Sequence, residues 1–147
     1  MAHVRKQIRD NLFTAIASLS TTGSNRYQSR IFPLDEAKLP AICLYSKSEA
    51  SAAITINYPR LLECQTTFTL EVYVKAVSNL DNTIDQICLE ASEAILADVT
   101  RGGLAKDTQL TSLDIEFDAD ADSGIAVALV EVNVVYNILE NDFETAK

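Results

Sequence analysis

The strictest pattern in the chain is an unbroken alternation from Leu62 to Lys75. Leu62, Cys64, Thr66, Phe68, Leu70, Val72 and Val74 fall on one side, with Glu63, Gln65, Thr67, Thr69, Glu71, Tyr73 and Lys75 on the other. Strand side chains point to opposite faces with a period of two, so this segment is a long strand with one face in a core. A strand of that length needs partners, and the fold has to be organised around a sheet covered on one side.

Other segments supply the partners and the cover. Ala41-Ile42-Cys43-Leu44-Tyr45 is continuously apolar and reads as a strand buried on both faces, central or next to the centre. Thr111, Leu113, Ile115 and Phe117 alternate with Ser112, Asp114 and Glu116, and Ala126, Val130, Val132, Val134 and Tyr136 alternate with Glu131, Asn133 and Asn137, which predicts two antiparallel strands joined through an acidic turn.

Val4, Ile8, Leu12, Ala15, Ile16 and Leu19 form one helical stripe, stopped by the turn-forming Ser20 to Asn25. A second helix carries Leu80, Ile84, Ile87, Cys88, Ala91 and Ile95, opened by Ser78 and Asp81 and stopped by Gly102-Gly103. A short extended piece is expected over Tyr27 to Phe32, and Pro33 and Pro40 bracket a segment too short for an independent helix. Ser46 to Pro59, small and polar before Ile54, Ile56 and Tyr58, reads as a long hairpin loop, with Tyr58-Pro59-Arg60 as its anchor. The expected fold is α+β: a mixed, mainly antiparallel β-sheet with two α-helices packed on one face, in a single domain over residues 1–147 that ends in a short polar tail.

Charge restricts the partners. Residues 1–30 hold five basic side chains against one acidic, 31–106 six against ten, and 107–147 one against ten, for a net charge of −9. That balance repels phosphate and excludes nucleic-acid binding through the bulk surface. Its polarity along the chain suits a head-to-tail contact between identical subunits. The longest apolar run, Ile125 to Val130, is too short to span a membrane, and the N-terminal segment lacks the apolar core of a signal peptide. Cys43, Cys64 and Cys88 are odd in number, widely spaced and set in apolar stretches, the pattern of buried thiols in a protein folded in cytoplasm.

Catalytic chemistry finds little purchase. The one histidine, His3, lies at a terminus expected to fray, which leaves a Ser or Cys nucleophile without a base. Asp114, Glu116 and Asp118, with Asp120 and Asp122 beyond, have the spacing of a divalent-cation site and keep a metal-dependent hydrolase open as an alternative. As a calcium loop the run misplaces its glycine, Gly124, and offers Leu129 where a glutamate is needed, so a solvated acidic hairpin that discourages edge pairing is the plainer reading. No catalytic residue, metal or cofactor is expected.

Phe32, the Asp35-Glu36 pair, Leu39-Pro40-Ala41-Ile42-Cys43-Leu44-Tyr45, Leu70-Glu71-Val72-Tyr73-Val74, Leu80-Asp81, the Asp-rich turn ending in Gly124 and the last strand with Tyr136 follow one another in an order that resembles the tail terminator proteins of long-tailed phages, the minor tail protein U type. The resemblance runs nearly end to end and is structural, without a catalytic signature. It implies a non-enzymatic subunit of a ring, of six copies, that sits on the finished tail tube at the head-proximal end of the virion, stops tube polymerisation and offers a surface to the head.

The partners implied are further copies of the chain, the major tail tube protein and a head-tail connector protein, with DNA passing through unbound. On this reading Arg5, Arg9, Arg26 and Arg30 pair across subunits with Asp118, Asp120 and Asp122, and Ser48, Glu49, Tyr58 and Arg60 contact the tube. Another head-tail joining protein that binds the connector is the alternative of the same class.

Overall fold

The alternating segment forms β3, the middle strand of five. The computed structural model describes residues 2–17, 19–23, 25–28, 40–75, 80–118 and 125–147, with Phe117 and Asp118 described by backbone alone. In chain order these form α1 (Val4–Ala15), β1 (Arg26–Tyr27), β2 (Ala41–Ala53), β3 (Leu61–Lys75), α2 (Leu80–Leu96), β4 (Asp107–Asp118) and β5 (Ile125–Leu139). The sheet order is β1-β2-β3-β5-β4, and every pairing is antiparallel except the short β1–β2 pair. The fold is α+β, as the pattern predicts.

Both helices lie on one face. Cys64, Phe68, Leu70, Val72 and Val74 of β3, with the even-numbered residues of β5 from Ala126 to Ile138, pack against Val4, Ile8 and Leu12 of α1 and Ile84, Ile87, Ala91 and Ile95 of α2. Phe68 is fully buried at the centre, where truncation to Ala removes roughly 3–5 kcal/mol. Odd-numbered residues of β3 and β5 face away from the helices; on β3 these are mostly polar, from Glu63 to Lys75, while β5 adds the half-buried apolar Ile125, Val127, Leu129 and Val135 beside Glu131 and Asn133.

The end of α2 shows how the chain leaves a helix. The Asp98 carboxylate accepts from the backbone N–H groups of Thr100 and Gly102, and the buried Arg101 guanidinium donates to the carbonyl of Ile95, one of the terminal acceptors that α2 leaves orphaned, and to that of Asp98 just beyond the helix. Gly102 and Gly103 take φ of 70° and 88°, a left-handed turn open to glycine without steric cost.

Several expectations shift. α1 ends at Ala15, although Ile16 and Leu19 still reach the core. The expected loop from Ser46 to Pro59 is mostly strand: β2 continues to Ala53 in register with Leu62, which leaves residues 54–60 as the turn, with Tyr58-Pro59 in cis. Small, polar Ser and Ala residues hid this extension; β3 supplies the ladder that holds them. β4 begins at Asp107, before its visible alternation.

His3 does not fray. Its Nδ1 accepts from the Arg5 N–H at 3.0 Å as the cap of α1, and its ring lies 5.5 Å from that of Phe143 in the C-terminal tail. Residues 29–32, the 34–39 segment, Ser78 and the acidic turn at 119–124 lie outside the described residues.

Candidate assembly surfaces

A bulge in β2 builds the first surface. The β2–β3 register shifts between Ser46 and Ser48, so Lys47 is an extra residue and Glu49, opposite Thr66, turns onto the helix face. There the Glu49 carboxylate accepts from Arg5 Nη1 at 2.6 Å and from the buried Tyr136 hydroxyl. Burial, reinforced by the bond to Glu49, pushes the Tyr136 phenol well above its ordinary range. Arg9 donates to Ser46 Oγ at 2.9 Å, and an open groove of about 320 Å³ runs between α1 and β2, lined by Arg5, Arg9, Ser46, Lys47, Ser48 and Glu49.

The residues expected at a subunit contact divide. Arg5 is engaged with Glu49, while Arg26 donates to the Phe13 carbonyl and stacks its guanidinium 4.0 Å above the Phe13 ring. Arg30, Asp120 and Asp122 lie outside the described residues, and Asp118 is placed only as the last residue of β4.

The residues expected to touch a tube divide as well. Glu49 is held inside the chain, and the Ser48 carbonyl accepts from Thr66 Oγ1 at 3.3 Å. Arg60 forks onto Glu140, with Nε at 3.1 and 3.0 Å from the two oxygens and Nη2 at 2.9 Å, which draws the Glu140 carboxyl below its usual range. Tyr58 is free to meet a partner: it is 77% exposed, beside Ile56 at 93%, on a turn held by the Arg60–Glu140 clamp.

At the far edge of the sheet lies β4. Leu113 and Ile115 pair in register with the buried Val130 and Ala128, yet they are 48% and 49% exposed because α2 covers this edge incompletely. A cleft of about 260 Å³ opens between α2 and β4, with Cys88 and Ser92 on one wall and Leu110 and Leu113 on the other. The sequence alternation marks Leu113 and Ile115 as apolar, but only the position of the helix decides that they remain uncovered. On the open face, Asp114 and Glu116 alternate with them. Among the described residues no group of three His, Cys, Asp or Glu side chains is arranged to hold a metal ion.

The open face has its own polar order. Glu71 accepts from the hydroxyls of Tyr45 and Tyr73, Lys47 pairs with Glu131, and Lys106 lies 3.6 Å from Glu63. No described helix is long and apolar enough to cross a membrane. The three cysteines are free thiols, with Cys43 and Cys64 buried and Cys88 partly so.

No family profile matches the chain, and no curated protein matches it. Among solved structures it is similar to a chain of the virion of a native gene transfer agent particle, at 14% identity and a TM-score of 0.46, over 90% of this chain and 91% of that one.

Proposed function

We propose that the chain is a virion structural protein: a tail terminator subunit that forms a ring of six on the end of the tail tube, stops tube growth and presents a surface to the head-tail connector. The observation that carries this reading is the β2–β3 hairpin. Beyond the bulge at Lys47 its antiparallel ladder runs to the Ala53–Leu62 pair and raises Ile54, Ile56 and Tyr58 into solvent at the tip. Large apolar side chains clustered on a braced tip mark a docking element, because leaving them in water gains nothing for the isolated chain. The tip serves as the tube contact, and β2 before it as its stem.

The residue order that resembles the tail terminators supports the same assignment. So does the charge: a subunit of net charge −9 suits a channel through which DNA slides without adhering. The test is polymerisation of the purified tail tube protein with and without this chain, followed by electron microscopy. Tubes that stop growing and carry a ring at one end are expected; tubes that elongate equally in its presence reject the assignment.

A further inference from the structure

The sheet has two unlike sides, and their charges complement one another. β2 lies towards one side, with α1 joined to it through the Arg5–Glu49 and Arg9–Ser46 contacts, and β4 is the last strand on the other. On the α1 side, Lys6 is paired with Asp10 and Arg5 with Glu49. Arg9, bonded to a hydroxyl, and Arg26, bonded to a carbonyl and stacked on a ring, form no ion pair at contact distance with a described carboxylate. On the β4 side the imbalance is reversed. Asp114 and Glu116 are exposed and form no ion pair with a described cation, Lys47 across the cleft from Asp114 being bonded to Glu131, and the sequence continues the acidic run through Asp118, Asp120 and Asp122.

We propose that copies of this chain join head to tail, the Arg9/Arg26 side of one copy lying against the Asp114/Glu116 strand of the next. A two-fold β4-to-β4 contact would set these carboxylates against their own kind, so the charge pattern disfavours a closed dimer and favours a heterologous joint, the type that generates rings. Exposed ion pairs contribute little apiece and act mainly to steer and orient the approach. Leu113 and Ile115 leave β4 on the opposite, helix-side face from Asp114 and Glu116 but are half exposed along the same edge, so a copy seated over that edge covers apolar surface as well. The inference rests on the ring reading above and names the surfaces that close the ring.

A charge swap between two full-length variants tests it. Arg9→Glu/Arg26→Glu makes both sides acidic, and Asp114→Lys/Glu116→Lys makes both basic. Sedimentation velocity at low salt over a concentration series is expected to show each variant associating about tenfold more weakly than wild type, and their equimolar mixture recovering wild-type association. Arg9→Glu alone replaces the double variant if loss of the Arg26 contact prevents folding, as judged by circular dichroism. Either variant associating like wild type, a mixture no better than its components, or a wild-type chain that stays monomeric up to millimolar concentration overturns the contact. The two readings separate cleanly: re-association of the mixture beside tubes that grow unchecked rejects the terminator function and supports the joint, whereas capped tubes with charge-insensitive association reject the joint alone.

Discussion

The Tyr136 hydroxyl donates to the Glu49 carboxylate across β3, joining β5 to β2 above the strand that separates them. The other oxygen of Glu49 takes Arg5, so the first helix, the stem of the hairpin and the inner sheet meet at one carboxylate.

Removing that hydroxyl leaves a partly buried carboxylate with one partner where it had two. Tyr136→Phe is expected to lower the unfolding free energy by about 1–3 kcal/mol, read by urea denaturation. Wild-type stability in the variant would show that the bond contributes nothing net.

His3 gives a pH dependence on the acid side. Burial first, and then the Arg5 charge, hold its imidazole below the ordinary 6.5, and its Nδ1 has to be unprotonated to cap α1. Below that value the unfolded chain takes up a proton more readily than the folded one, so stability is present above pH 6.5 and is lost as the pH falls. His3→Asn keeps a capping side chain without the titration, and it is expected to flatten this part of the stability profile. An unchanged slope in the variant would assign the dependence to other groups.

The alkaline side has the opposite sign. Burial, with Glu71 nearby, raises the Cys43 thiol from 9.0 to about 11, and burial raises the Tyr73 and Tyr136 phenols above their usual range. The unfolded chain releases these protons first, so stability falls as the pH rises above about 9. Cys43→Ala is expected to reduce the fall between pH 9 and 11, measured by denaturant midpoints across that window.

How far these features can be read from sequence depends on register. The Leu62–Lys75 alternation, the Ala41–Tyr45 run and the stripe from Ile84 to Ile95 carry their periodicity openly, and each became the expected element. The two bulges are silent. A single extra residue at Lys47 moves Glu49 to the face of Tyr136, and the shift between Leu110 and Ser112 lets Leu110 and Leu113 share a face despite odd spacing. Periodicity likewise identifies Leu113 and Ile115 as apolar but carries no information on where α2 stops covering them. The arginines Arg5 and Arg26 look alike in sequence; only the fold separates the one neutralised by Glu49 from the one resting on Phe13.

Arg101 is 1% exposed at a left-handed φ of 52°, with Nε and Nη1 buried and without hydrogen-bond partners while Nη2 holds the end of α2. Arg101→Met removes the charge-assisted bonds to the Ile95 and Asp98 carbonyls but also relieves two buried unpaired donors. The first effect is expected to win by about 1–3 kcal/mol, because the buried Ile95 carbonyl is left without a donor, whereas the Asp98 carbonyl keeps the backbone N–H of residue 101. Hydrogen exchange should then accelerate in the last turn of α2 before the rest of the fold, and a variant as stable as wild type would show that desolvation of the guanidinium cancels its bonds.

The hairpin tip separates stability from function. Ile56 has almost no contact to lose, so Ile56→Asp is expected to change the unfolding free energy by no more than about 0.5 kcal/mol. If the tip is the tube contact, the same change places a charge in the centre of an apolar patch, and capping of tail tubes should fall at least about tenfold, as burying an unpaired carboxylate costs far more than exposing it. Tyr58→Ala should reduce capping less severely, since it removes contact area without adding a charge. Glu140→Gln weakens the clamp on Arg60 and frees the turn, so it should loosen the tip in hydrogen exchange while leaving the sheet intact. Normal capping by Ile56→Asp would move the tube contact off the hairpin; loss of capping with unchanged stability would place it there.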